Sequence, residues 1–305
     1  MGELRPHNLL ELIGNTPLVK IRRLNPNPRV TILAKLEGYN PGGSIKARPA
    51  LAMVEAAEKS GELVPGKIVI EPTSGNTGIG VAMICAIKGY RCLLAMSENV
   101  SRERRKILAA YGAQFMLTPA ELGTDGSIEK VYEMERADVE KRYVLLDQYN
   151  NRANPLAHYT STAPEIWEQT AGRLTHFFSA IGTTGTVVGC GRFFKDQNPD
   201  IQVVAVEPCI GHRIQGLKSL KESYVPGIWD KKTIDRRVTV NDEQAYSTTR
   251  RLAREEGLMC GMSSGAAMWA ALETAKELDE GVLAVILPDG GERYLSTDLF
   301  TVTEA

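Results

Sequence analysis

The feature that most constrains this chain is an alternation. Short apolar runs of strand character are followed repeatedly by longer stretches in which apolar residues recur at helical spacing. Strands are predicted over Ile32–Leu36, Lys67–Glu71, Arg91–Met96, Gln114–Leu117, Tyr143–Leu146, His176–Ala180, Gln202–Glu207 and Val282–Leu287. Helices are predicted over Lys46–Ser60, Thr77–Lys88, Ser101–Tyr111, Ser127–Ala137, Pro155–Thr170, Thr186–Asp196, Ala245–Glu256 and Ser264–Leu278. Strands joined in succession by helices form parallel sheets covered on both faces, so the fold class is α/β. Gly61, Gly89, Gly112 and Gly257 stand just past four of the helices, where a left-handed stop is favoured. At 305 residues the chain is too long for one small core and suits two lobes or one large unit. No low-complexity linker separates two lobes, so a second lobe has to arise by the chain crossing between sheets. Pro208–Thr233, with Gly211, Gly216, Pro226 and Gly227, fits neither periodicity and reads as an irregular segment.

Composition excludes several function classes. The net charge of -1 favours neither nucleic acid nor an anionic membrane as partner. No apolar run approaches the length of a membrane span, and Glu3 and Glu11 interrupt the N-terminal stretch, so no leader is expected. The five cysteines form no CxxC pair and read as free thiols of a reducing, cytoplasmic compartment. The four histidines are scattered without ligand spacing, so no metal is expected.

Three turns rich in Gly, Ser and Thr carry the chemistry. The first, Asn40-Pro41-Gly42-Gly43-Ser44-Ile45-Lys46, runs into a helix with Lys46 in its first turn. The positive end of the helix dipole there favours the neutral amine, the form a nucleophilic lysine needs. The second, Thr73-Ser74-Gly75-Asn76-Thr77-Gly78, follows a strand and opens a helix. Its hydroxyls and the free N–H groups of the helix start suit a carboxylate or phosphate. The third, Gly182-Thr183-Thr184-Gly185-Thr186, is small enough to fold round an anion; it lacks GK[ST], so it is not a nucleotide-hydrolysing P-loop. Gly78 and Gly80, with Glu98 ending the next strand, approach a dinucleotide fingerprint, but Met83 stands where the third glycine belongs.

Together these turns resemble the fold-type II pyridoxal-phosphate enzymes, the tryptophan synthase β-like fold, and most closely the cysteine synthases of the O-acetylserine sulfhydrylase B type. The resemblance runs through Ile13-Gly14-Asn15-Thr16-Pro17, NPGGSIKAR, TSGNTG, Gln148-Tyr149-Asn150-Asn151, His158-Tyr159, Pro164-Glu165-Ile166-Trp167, GTTGT, GMSSGA and Arg293-Tyr294-Leu295-Ser296-Thr297. It implies two lobes, each a largely parallel sheet flanked by helices. Residues 1–38 and 147–305 would form a large cofactor-binding domain, and residues 39–146 a smaller mobile one. It implies pyridoxal 5'-phosphate held covalently by Lys46, with Asn76 on the ring hydroxyl, Gly182–Thr186 on the phosphate and Ser263 facing the ring nitrogen. Thr73, Ser74, Gly75, Asn76, Thr77 and Gln148 would bind the substrate carboxylate. The expected reaction is β-replacement: L-cysteine, or S-sulfocysteine, from O-acetylserine or O-phosphoserine and sulfide or thiosulfate. A homodimer is expected. The alternatives are β-replacement on serine with homocysteine, as in cystathionine β-synthases, and a non-catalytic homologue that binds a partner peptide.

Two departures stand out. Ala47 occupies a position where the family often carries Asp. The core of His212-Arg213-Ile214-Gln215-Gly216 resembles the A type, and Tyr224-Val225-Pro226-Gly227-Ile228 the B type. Lys218-Ser219-Leu220 stand where the B type commonly has Arg-Arg-Trp. Lys218 is therefore a candidate contact for an anionic substrate group, with the choice of activated serine and sulfur donor left open.

Overall fold

The computed structural model describes residues 7–73, 75–100, 102–221 and 224–300. In chain order its strands are β1 (Leu18–Lys20), β2 (Val30–Leu36), β3 (Ile68–Pro72), β4 (Arg91–Ser97), β5 (Gln114–Thr118), β6 (Tyr143–Leu145), β7 (His176–Ala180), β8 (Gln202–Pro208), β9 (Arg236–Val240) and β10 (Gly281–Leu287). Its helices are α1 (Ala47–Lys59), α2 (Asn76–Lys88), α3 (Arg102–Ala110), α4 (Gly123–Ala137), α5 (Ala153–Ala157), α6 (Ala163–Gln169), α7 (Gly185–Gln197), α8 (Asp242–Glu256) and α9 (Met262–Glu277).

Internal contacts divide the chain into two units. One is Asn40–Ala153 with the described residues before Thr16; the other is Thr16–Tyr39 with the described residues from Asn154 onward. The first unit is built on a parallel sheet in the order β5-β4-β3-β6. Val69, Leu94, Met96 and Val144 of its strands pack with Met53 and Val54 of α1 and with Val81 and Ile84 of α2, all essentially removed from water. Gly80 lets α2 approach the start of α1: a Cβ there would lie 3.0 Å from the Lys46 carbonyl oxygen. The second unit carries the order β1-β2-β10-β7-β8-β9, parallel except for the β1–β2 pair. Phe178, Val204, Val285 and Leu287 form its core with Leu252 of α8 and Ala266 and Ala270 of α9. Strands covered on both faces read as continuous apolar runs, which is why they stood out in the sequence.

Three elements differ from the sequence expectation. β1 is a three-residue strand, too short to show a period. β9 is an edge strand of sequence RRVTV whose first residues face water. The stretch expected as one helix from Pro155 to Thr170 is α5 and α6 joined by a π-helical turn, His158–Thr162. Such a turn holds an extra residue, and such turns are frequent at functional sites. The four expected stops hold: Gly61, Gly89, Gly112 and Gly257 all take positive φ. Between β8 and the short 3-10 turn Lys231–Thr233, the described residues form neither helix nor strand, as the composition of that segment implied.

Candidate active site

In the first unit, Lys46 caps α1 with φ -72° and ψ -14° and its side chain is partly exposed. Its N–H donates to Ser44 Oγ at 3.3 Å and its carbonyl accepts from Ala50 N at 3.1 Å. The lysine thus stands at the helix entrance, as the turn before it predicted. After β3, Thr73 N–H extends the sheet to the Ala95 carbonyl at 2.9 Å, and Gly75 N–H donates to Thr73 Oγ1 at 3.4 Å. Ser74 lies outside the described residues. Asn76 is the first residue of α2 and is partly exposed. The Thr77 hydroxyl donates to Gln148 Oε1 at 2.8 Å, and Gln148 Nε2 donates to the Pro72 carbonyl at 3.2 Å. The structure therefore joins Gln148 to the 73–77 turn as one polar cluster, although 71 residues separate it from Thr77.

The backbone at Gln148 is held from behind. Asp147 sits at φ 52° and accepts from Tyr132 Oη at 3.0 Å and from Asn150 Nδ2 at 2.9 Å. The Gln148 N–H donates to Glu71 Oε1 at 3.3 Å. Glu71 is wholly buried, and burial raises its pKa to about 8 against the opposing hydrogen bonds from Gln148 and Asp147. Burial thus favours its uncharged form.

In the second unit, the Gly182–Thr186 turn joins β7 to α7. Thr184 takes φ 71°, a left-handed conformation that is strained for a β-branched residue. Its hydroxyl is buried and has no hydrogen-bond partner among the described residues. A Cβ on Gly185 would fall 2.1 Å from Asn154 Oδ1, and one on Gly182 would fall 2.7 Å from the Gly216 carbonyl oxygen. At Gly182 the obstacle is backbone, so only glycine fits; at Gly185 the Asn154 side chain would have to move. The first N–H groups of α7 have no acceptor within the helix. Strained backbone, helix start and orphaned hydroxyl together form a cradle suited to a phosphate group. The residues present fit the phosphate of the cofactor that the family resemblance implied.

Two residues that carried no assigned role in the sequence reading support this cradle. Asn154 Nδ2 donates to Thr183 Oγ1 at 3.1 Å. The buried His158 ring is hydrogen-bonded through Nε2 to Thr186 Oγ1 at 3.2 Å and through Nδ1 to Thr162 Oγ1 at 2.9 Å. The four-residue spacing of Asn154 and His158 was the available signal: it puts both on one side of a helix. Ser263 is the second residue of α9 and is buried. The start of that helix is anchored by Asp289, whose carbonyl accepts from Gly261 N at 3.2 Å and whose carboxylate accepts from Tyr294 Oη at 2.7 Å. Lys218 is half-buried, and its N–H donates to the Ile181 carbonyl at 3.0 Å, one residue before the cradle. Cys260 is no nucleophile at neutral pH, because burial pushes its thiol up to about 12. Among the described residues no cluster of His, Cys, Asp and Glu is placed to hold a metal, and no helix is long and apolar enough to cross a membrane.

The family model described as "Pyridoxal-phosphate dependent enzyme" matches residues 9–289. The chain is 50% identical to cysteine synthase of Aquifex aeolicus, with 96% of this chain and 92% of that protein covered. It is 46% identical to cysteine synthase B of Pseudomonas aeruginosa, with 96% and 97% covered. The crystal structure of cysteine synthase (OASS) from Entamoeba histolytica superposes with a TM-score of 0.91 at 38% identity, over 100% of this chain and 95% of that one. The chain therefore belongs to the pyridoxal-phosphate dependent enzymes, and within them to the cysteine synthase family.

Proposed function

We propose that this chain makes L-cysteine by β-replacement on an activated serine, O-acetylserine or O-phosphoserine, with sulfide or thiosulfate as sulfur donor. The thiosulfate product would be S-sulfocysteine. The observation that carries this reading is the phosphate cradle of the second unit, with its orphaned Thr184 hydroxyl and its two glycines, where an added Cβ would collide with Gly216 or Asn154. Pyridoxal phosphate, when bound, supplies an electron sink for negative charge at the substrate α-carbon. The chain supplies the rest. Gly182–Thr186 hold the phosphate through backbone N–H groups and hydroxyls. Ser263 offers the ring nitrogen a neutral hydroxyl, which does not keep that nitrogen protonated as a carboxylate would. Asn76 hydrogen-bonds the ring hydroxyl. Lys46 would be the covalent attachment point; once the substrate amine displaces it there, its freed Nζ would take the proton from the substrate α-carbon, a step worth roughly 10²–10⁴-fold. The 73–77 turn and Gln148 bind the substrate carboxylate.

Lys218 is the specificity element in this reading. Its ammonium recognises an anionic group, either the phosphate of O-phosphoserine or the sulfonate end of thiosulfate. Its backbone bond to Ile181, adjoining the cradle, supports the assignment. A charge-assisted hydrogen bond of roughly 1.5–3 kcal/mol corresponds to about 10- to 150-fold in kcat/KM. The experiment is a turnover screen of O-acetylserine, O-phosphoserine and serine against sulfide, thiosulfate and homocysteine, in wild type and Lys218→Ala. The variant should lose the anionic substrate selectively. Equal small losses for all substrates would make Lys218 a surface residue, and preference for serine with homocysteine would reassign the reaction. The same reading has the enzyme acting in the cytoplasm as a homodimer. A monomer mass in sedimentation at working concentration would contradict the dimer.

A further inference from the structure

Glu71 lies in β3, one residue before its end, and its side chain is fully buried. Oε1 accepts from the backbone of Gln148 at 3.3 Å; Oε2 has no hydrogen-bond partner among the described residues. The residue bonded to Glu71 is the one whose side chain is tied to Thr77 and Pro72. Glu71 is thus directly bonded to the cluster assigned above to the substrate carboxylate.

The titratable groups that interact with it are acids. Asp147 and Tyr149 do so from the segment after β6. Cys92 stands on β4 opposite Val69, two residues along β3 from Glu71, and its thiol feels the Glu71 charge. Tyr132 and Asp125 of α4 act on the neighbouring Tyr149. The influences that act on Glu71 are burial, the Asp147 carboxylate, and hydrogen bonds from Gln148 and Asp147. An ionised carboxylate placed there would meet no compensating positive charge in that set, and it would stand directly behind a turn that has to accept another carboxylate. Two like charges in a buried setting repel far more strongly than in water.

We propose that Glu71 is a positioning residue whose protonated form keeps the Gln148 cluster able to bind the substrate carboxylate, so that losing this one proton weakens amino-acid binding and makes it pH-sensitive. This rests on the reading that Gln148 and the 73–77 turn hold that carboxylate.

The test uses the holoenzyme with L-serine as the probe, its Kd read from the change in the visible band of the bound cofactor. Kd is measured between about pH 6 and about pH 9.5 in wild type, Glu71→Gln and Gln148→Ala. The glutamine variant is a neutral isostere that cannot lose the proton. Titrations of the probe's own amine and of the cofactor are common to both proteins and cancel in the ratio. The wild-type Kd should rise roughly ten-fold more than that of Glu71→Gln across the alkaline limb. Both should bind with similar affinity near pH 6. Parallel profiles for wild type and Glu71→Gln, with Gln148→Ala clearly weakened, would overturn the role of Glu71 while leaving the carboxylate site standing. An unweakened Gln148→Ala would overturn the carboxylate reading itself. Should Glu71→Gln fail to fold, infrared titration of wild-type enzyme follows the carbonyl stretch of the protonated acid. Its loss must coincide with the midpoint of the Kd profile; a carboxyl already ionised at pH 6, or a midpoint well apart from the Kd profile, overturns the proposal.

Discussion

The buried acid also makes a thermodynamic prediction, independent of any ligand. In the unfolded chain Glu71 has its ordinary carboxyl value of 4.5; in the fold, burial raises it to about 8. A raised carboxyl pKa means that the folded state binds more protons than the unfolded state at pH values above the lower one. Stability from this group is therefore fully present below about pH 4.5, declines as pH rises, and levels off above about pH 8. At about 1.4 kcal/mol per unit, the shift corresponds to roughly 5 kcal/mol in total, of which roughly 3 kcal/mol falls between about pH 6 and about pH 9. Glu71→Gln removes the slope. Its amide adds a donor beside an oxygen position without a partner, which costs about 1–3 kcal/mol, but that offset is constant with pH. The assay is equilibrium urea unfolding of both proteins at matched cofactor concentration over that pH interval. The variant should gain on the wild type by roughly 3 kcal/mol as pH rises, the contributions of all other titrating groups being common to the two. A stability difference that stays flat to within about 0.5 kcal/mol would show that Glu71 is not a buried neutral acid.

The remaining predictions concern the residues proposed to hold the cofactor. Lys46→Ala should abolish the overall reaction, with loss of the proton acceptor alone worth roughly 10²–10⁴-fold; cofactor retained on the variant through a borohydride-reducible lysine bond would disprove the assignment. Ser263→Asp should keep the ring nitrogen protonated and slow turnover roughly ten-fold or more, with long-wavelength absorbance building up on adding substrate. Unchanged spectra and rates would remove Ser263 from the ring. Gly185→Ala should drive Asn154 away from Thr183, because its Cβ would fall 2.1 Å from Asn154 Oδ1. Losing one buried hydrogen bond at about 1–3 kcal/mol predicts roughly 5- to 150-fold weaker cofactor binding, and equilibrium dialysis of the apoenzyme showing affinity within about two-fold would argue against the cradle.

What could be read from the sequence, and what could not, divides along a physical line. The parallel strands were legible because burial on both faces makes each an uninterrupted apolar run, as in β10, GVLAVIL. Strand β9 was not, because an edge strand owes its pairing to β8 rather than to its own pattern, and RRVTV offers little apolar signal. The helix expected from Pro155 to Thr170 has the right period at both ends, yet a π turn interrupts it at His158, whose ring reaches Thr186 of another element. No local rule announces a partner 28 residues away. The site divides in the same way. Its turns were visible as clusters of Gly, Ser and Thr, since close backbone approach and hydroxyl donors need those residue types wherever they occur. The bond between Thr77 and Gln148 was invisible in composition and periodicity alike, and only the family resemblance placed Gln148 beside the turn. Glu71 was least legible of all. In the sequence it is a polar residue at the end of a strand, where solvent exposure is the ordinary expectation. Its charge state follows from complete burial and from the neighbouring Asp147, neither of which exists until the sheet has formed. The sequence thus marks the residues that touch ligands by their type, whereas a residue that acts through its environment is marked only once the environment is built. Residues of that second kind, Asn154, His158 and Glu71, are where variants should separate a working site from a correctly folded one.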